Sequence, residues 1–123
     1  MITRMHHFGM MVDELDKAVG EYEQLGFKVF KRFTKPGMKA AMMFKGGAGI
    51  EFFEFENPDG ELEGKIKKHN AFVSDALEAD VQKYADLGYE IAIPISDGTV
   101  VKRFAYLKDA AGNYIELLEP VDI

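Results

Sequence analysis

The sequence contains itself twice, and that repetition limits what it can fold into more than any other feature. Placing HFGMMVDELDKAVGEYEQLGFKV, from His7, above HNAFVSDALEADVQKYADLGYEI, from His69, matches His7 with His69, Asp13 with Asp75, Leu15 with Leu77 and Val19 with Val81 at a constant offset of 62. Tyr22 then meets Tyr84, Leu25-Gly26 meets Leu87-Gly88, Phe27 meets Tyr89 and Val29 meets Ile91. Further on, GIEFFE aligns with YIELLE at an offset of 65, which pairs Glu51 with Glu116 once three extra turn residues are allowed. Two copies of a unit of roughly 60 residues are too few for a solenoid.

Each copy has a readable plan. An apolar-rich strand over 2–12 leads to Asp13, placed to cap the helix that follows. Leu15, Val19, Tyr22 and Leu25 recur at three- and four-residue spacing, the apolar face of an amphipathic helix. Gly26 ends it in the left-handed conformation. Strands are expected over 27–34, 39–45 and 48–56, divided by KPG and KGGAG turns. The second copy predicts a strand over 67–74, a helix over 76–87 and strands near 89–95, 101–108 and 113–119. ENPDGELEG, residues 56–64, reads as the polar joint. The expectation is an α+β fold, one domain over residues 1–123: module 1 over about 1–56, a linker over 57–66 and module 2 over about 67–123. The two tandem βαβββ modules would be related by a pseudo-twofold, forming a cupped mixed β-sheet with helices on the outside.

Composition narrows the partners. With 15 Lys and Arg against 21 Asp and Glu the formal charge is −6, and no basic cluster exceeds KIKKH, so nucleic acid and anionic membranes are not expected. No apolar run approaches the roughly 20 residues of a membrane span, and MITRMHHF lacks the apolar core of a signal peptide, so a cytoplasmic location is expected. The chain has no cysteine, which removes disulfides, thiolate nucleophiles and sulfur-ligated zinc.

The repeat singles out four polar residues: His7 and His69 in the first strands, Glu51 and Glu116 in the last. A lone strand glutamate ordinarily reaches solvent, and a lone strand histidine is ordinarily a satisfied core or edge residue. Here both kinds recur at matching places in divergent copies. Strand parity adds that Glu51 shares a face with Phe53 and Phe55, and Glu116 with Tyr114 and Leu118, with Ile50, Phe52, Ile115 and Leu117 opposite. Carboxylates on such a face point into a cavity, where burial costs several kcal/mol, roughly, unless a partner or metal compensates. His6 points to the other face and reads as surface or as support behind the site. Met10, Met11, Met38, Met42 and Met43 read as gap-filling cavity wall rather than soft-metal ligands. Glu54 and Glu119 also match across the copies and read as structural or exposed. Two imidazoles and two carboxylates suit one divalent ion, Ni, Co, Zn, Mn or Fe, with positions left open for substrate. Such a site polarises a carbonyl, and Glu51 or Glu116 could leave the metal and serve as the base.

HHFGMMVDELDKAVGEYEQLGF, GIEFFE, KHNAFVSDALEADVQKYADLGY and DAAGNYIELLEP resemble the vicinal oxygen chelate superfamily. Its members include glyoxalase I, methylmalonyl-CoA epimerase, fosfomycin-resistance enzymes, extradiol dioxygenases and bleomycin-binding proteins. The resemblance implies paired βαβββ modules, a homodimer, and a metal at His7, Glu51, His69 and Glu116, a set most similar to bacterial glyoxalase I. It implies a lyase or isomerase moving a proton next to a metal-bound carbonyl through an enediolate-like intermediate, on a small-molecule substrate such as a thiol adduct or acyl thioester. The same fold also serves epimerases of the methylmalonyl-CoA type and non-catalytic, antibiotic-like binding proteins. Met11 and Phe55 stand where glutathione-using glyoxalases carry Arg and Asn, and Lys65 stands for another Arg. That departure removes the bidentate clamp for a glutathione carboxylate.

Overall fold

A computed structural model describes residues 1–121; the last two residues of the expected second module lie outside the described residues. The order is β1 (Ile2–Met11), α1 (Leu15–Gln24), β2 (Lys28–Lys35), β3 (Met38–Lys45), β4 (Ala48–Phe55), α2 (Glu61–Ile66), β5 (Lys68–Ser74), α3 (Leu77–Asp86), β6 (Glu90–Asp97), β7 (Arg103–Lys108) and β8 (Tyr114–Glu119). The βαβββ order occurs twice, giving the expected α+β class. Contacts divide the chain into two compact units, one formed by His7–Lys68 and the other by Met1–His6 with the residues from His69 onward.

Within the His7–Lys68 unit the strand order is β2-β3-β4-β1. β1 runs parallel to β4, while β2–β3 and β3–β4 are antiparallel. Leu15, Ala18 and Val19, one stripe of α1, are buried against Ala41, Met43 and Phe52, with Tyr22 and Ile50 at the margin. Ile50 and Phe52 therefore face the helix, as parity requires, and Glu51, Phe53 and Phe55 face away from it. Burying a side chain of this size contributes about 1.5–3 kcal/mol. Phe52, 1% exposed, meets the Tyr22 ring edge-on at 4.8 Å and ties the helix to the sheet.

The other unit repeats the construction with the order β5-β8-β7-β6. β5 is parallel to β8, and the remaining pairs are antiparallel. Leu77 and Val81 of α3 pack on Ala105, Leu107 and Leu117. Even the irregularities are duplicated: β2 slips register between Val29 and Lys31, and β6 between Ile91 and Ile93. Both bulges lie on edge strands, where an unpaired ladder invites wrong pairing and a bulge discourages it.

Both long helices end alike. Gly26 at φ +96° and Gly88 at φ +102° take the left-handed conformation. Gly26 donates its N–H to Glu23 and Phe27 donates to Tyr22, each at 3.0 Å; Gly88 and Tyr89 donate equivalently to Ala85 and Tyr84. The residue after each glycine stacks edge-on against the aromatic five positions earlier, Phe27 on Tyr22 at 5.6 Å and Tyr89 on Tyr84 at 5.4 Å. Those contacts are the apolar clasp of this helix ending, and they explain why the aromatic pairs stand out in the repeat.

Three expectations need correction. Asp13 does not cap α1: the residue before the helix is Glu14, which makes no side-chain cap, and the Leu15 N–H is taken by Glu54 Oε1 from β4 at 2.9 Å. Asp75, its twin, instead accepts from the Met1 ammonium at 2.7 Å. The joint between copies is not only loop, since α2 forms there, with acidic Glu61 and Glu63 in its first turn and Lys65 in its last, an arrangement favoured by the helix dipole. His6 is buried, 7% exposed, so it is not a surface residue. Among the described residues no helix is long and apolar enough to cross a membrane.

Candidate metal centre

In the His7–Lys68 unit, His7 lies on β1 and Glu51 on β4, and the parallel register sets Gly9 opposite Glu51. His7 and Gly9 share a strand face, separated by about 6.6 Å along it. Because the residue directly across from Glu51 has no side chain, the imidazole two positions earlier can lean into the space. His7 Nε2 and Glu51 Oε1 stand 3.3 Å apart.

The other unit builds the same pair by the same rule. Ala71 faces Glu116 across β5 and β8, and His69, two residues before that small side chain, brings Nε2 to 3.2 Å from Glu116 Oε1. All four side chains are buried, with exposures of 1%, 5%, 2% and 4% for His7, Glu51, His69 and Glu116. Burial of this degree removes the solvent-reaching reading of Glu51. Each carboxyl group is buried beside an imidazole nitrogen, and the four together have the composition of a divalent-cation ligand set.

One member of the neighbourhood is missed by sequence reasoning. Tyr106, on β7, sits directly opposite Glu116 and is 4% exposed. Its hydroxyl is 3.2 Å from His69 Nε2 and donates to Glu116 Oε1 at 3.4 Å. Its ring meets the His69 ring edge-on at 5.0 Å. The corresponding position opposite Glu51 is Met42, fully buried. Comparison of the copies therefore shows a methionine against a tyrosine and raises no signal, although YLKDAAGNYIE places Tyr106 and Glu116 on adjoining strands of a hairpin.

Residues outside the pairs take structural roles. Glu54 caps α1, and its counterpart Glu119 accepts two hydrogen bonds of 2.7 Å from Arg103, which also reaches Glu78 in the first turn of α3 at 2.6 Å. Phe53 and Phe55, on the Glu51 face, stack at 5.4 Å. Met42 and Met43 are fully buried on opposite faces of β3. Lys65 pairs with Glu61 one turn earlier at 3.8 Å.

The donor chemistry fits a metal. Two ligand atoms each about 2.1 Å from one ion and at right angles stand about 3.0 Å apart, close to the separations in both pairs. Neutral imidazole and carboxylate are the ligand types that borderline divalent ions prefer when thiolate is absent.

The sequence profile of the Glyoxalase/Bleomycin resistance protein/Dioxygenase superfamily matches residues 4–117. No protein with a curated description matches the sequence significantly. Similar solved structures include methylmalonyl-CoA epimerase from Mycobacterium tuberculosis, with TM-score 0.81 and 23% identity over 98% of this chain and 90% of that one. A hypothetical protein from Bacillus halodurans has TM-score 0.78 and 20% identity, covering 98% and 96%. A mutant 4-hydroxymandelate synthase from Streptomyces coelicolor has TM-score 0.70 and 12% identity, covering 98% of this chain and 38% of its own. At these identities the likeness is one of fold.

Proposed function

The chain belongs to the Glyoxalase/Bleomycin resistance protein/Dioxygenase superfamily, and on that premise we propose that it is a divalent-metal-dependent lyase or isomerase of glyoxalase I type. In this reading His7, Glu51, His69 and Glu116 together hold one Ni, Co, Zn, Mn or Fe ion. The observation that carries it is the duplicated, buried His–Glu pair, with nitrogen-to-oxygen separations of 3.3 and 3.2 Å. A bound divalent ion would polarise a substrate carbonyl and stabilise the negative charge that develops when the neighbouring C–H proton leaves.

The chain's own residues supply the rest. His7 and His69 bind as neutral nitrogen donors, each oriented by the strand register described above. Glu51 or Glu116 takes the proton and returns it, a task that positioned carboxylates accelerate by about 10²–10⁴-fold. The stacked Phe53 and Phe55 and the buried Met42 give the Glu51 side an apolar wall, which strengthens electrostatic effects on the reacting atoms. A thiol adduct of a 2-oxoaldehyde is the proposed substrate class. Epimerisation of an acyl thioester is the nearest variant, supported by the fold likeness to the epimerase. We place the protein in the cytoplasm as a homodimer, which sedimentation would check.

A second reading, sequestration without catalysis, draws on a groove of about 490 Å³ lined by Phe8, Met10, Met11, Lys67 and Lys68, apolar with a basic rim. Metal analysis after reconstitution with Zn, Ni, Co or Mn separates the readings. The enzyme reading expects a stoichiometric ion, and either conversion of a methylglyoxal hemithioacetal, formed with glutathione or with other low-molecular-weight thiols in turn, or deuterium incorporation into methylmalonyl-CoA in D₂O. Failure to retain any ion overturns it, and a stoichiometric ion with neither reaction leaves sequestration as the function.

A further inference from the structure

The cores beneath the two long helices differ by one ring. On the helix side of β4, Phe52 meets Tyr22 edge-on at 4.8 Å and Tyr22 meets Phe27 at 5.6 Å, so three rings fill the space between α1 and its sheet. The second unit repeats Tyr22 as Tyr84, Phe27 as Tyr89 and Ile50 as Ile115, but Leu117 stands where Phe52 would be. Tyr84 keeps the Tyr89 contact at 5.4 Å, while the sheet supplies an isobutyl group in place of the phenyl. A cavity of about 160 Å³ remains there. Leu107 and Leu117, 1% and 0% exposed, form its floor, and the half-buried Phe72, Tyr84, Tyr89 and Ile115 line its sides. No charged residue among those described lines it.

We propose that this cavity is a small-molecule site separate from the metal centre, one that takes a neutral single-ring aromatic compound in the place that Phe52 fills in the other copy. The size suits one ring, since a cavity of about 150 Å³ lined by leucine, isoleucine and phenylalanine takes up benzene. The chemistry follows from the lining. A charged ligand would give up its hydration and find no compensating group. An aromatic ring buries its faces against the leucines and regains with Tyr84 the edge-on contact that Phe52 makes with Tyr22. The half-buried tyrosines leave a way in. Successive residues of a strand point to opposite faces, so the cavity beside Ile115 and Leu117 lies behind β8 from Glu116. The site therefore stands whether or not the metal-dependent reading does.

Fluorobenzene tests the site, followed by fluorine NMR with a chelator present so that ligation at the metal centre contributes nothing. Saturable binding is expected with a Kd of about 1 mM or tighter, well within the affinity per atom that so small a ligand can reach. The protein's methyl shifts should concentrate on Leu107, Ile115 and Leu117. Fluorocyclohexane, similar in size but without a π face, should bind about 2- to 10-fold more weakly, the range of one ring-to-ring contact. Leu117→Phe, which ties the missing ring to the sheet, should abolish the saturable shift. No saturation by the parent, methyl shifts centred elsewhere, or undiminished binding by Leu117→Phe would overturn the site, and equal binding of fluorocyclohexane would overturn the aromatic assignment. If Leu117→Phe does not fold, the position of the methyl shifts in the parent decides.

Discussion

Glu54 Oε1 accepts the N–H of Leu15 at 2.9 Å, so the group that caps α1 arrives from a strand 39 residues later in the chain. The helix thereby gains a carboxylate at its positive end and is tied to β4, the strand that carries Glu51. Lys39, opposite Glu54 on β3, lies 3.9 Å from its other oxygen. The second unit reaches the same end by a longer route, with Glu119 on β8 holding Arg103 and Arg103 holding Glu78 in the first turn of α3.

Removing the Glu54 carboxylate should therefore cost what loss of a helix cap costs. Glu54→Ala is expected to lower stability by about 1–2 kcal/mol, while Asp13→Ala changes it by less than about 0.5 kcal/mol. Urea denaturation of the two variants reads the difference directly. Equal effects would show that the bond from β4 does not act as the cap.

Acid should weaken the fold through two further carboxylates. Arg103, with its paired hydrogen bonds, holds the Glu119 carboxyl below its usual range. Burial pushes Asp80 upward, but the Met1 ammonium and the Ser74 hydroxyl outweigh it and hold the group below its ordinary value. With folded values depressed, the stabilisation is complete above the unfolded value of about 4 and is lost as pH falls through the folded values. Thermal midpoints should therefore fall as pH drops below about 4. Asp80→Asn should lower the midpoint at neutral pH, by about 1–3 kcal/mol of stability, and matter less in acid. An Asp80→Asn effect that grows in acid would contradict this sign.

The features legible in the sequence are those written locally or written twice. The αL glycines and their aromatic clasps occupy six consecutive residues, Tyr22–Phe27 and Tyr84–Tyr89, so spacing alone reveals them. His7, Glu51, His69 and Glu116 stand out because each half of the site has a counterpart. Glu54 as a cap is not legible, because its partner is distant in the chain and Asp13 satisfies the local rule equally well. Tyr106 escapes for the opposite reason, because the copies differ there: methionine stands opposite Glu51 where tyrosine stands opposite Glu116. α2 has only six residues, too short for a periodic apolar face to register.

Backbone conformation gives a prediction independent of any ligand. Gly88 has φ +102° and open space where an alanine methyl would stand, so Gly88→Ala meets strain from its own backbone alone and should cost about 1–2 kcal/mol. Gly64 lies inside α2 with equally open surroundings and no left-handed φ. Gly64→Ala should stabilise by about 0.5–1 kcal/mol. Guanidinium unfolding of both variants checks the opposite signs, and a stabilising Gly88→Ala would contradict the αL ending.

Metal removal should be visible in stability as well as in activity. An ion that binds the folded chain alone stabilises it by RT ln(1 + [L]/Kd), about 2.7 kcal/mol at a hundredfold excess over Kd. For a chain of this length that is a shift of several degrees in the thermal midpoint. Stripping with a chelator should lower the midpoint accordingly, and Zn, Ni, Co or Mn should restore it. A His7→Ala, His69→Ala double variant should lose the metal-induced shift. Its chelated form should also be less stable than the chelated parent, because Glu51 and Glu116 are then buried without their imidazole neighbours. A metal-induced shift that survives in the double variant would place the ion elsewhere.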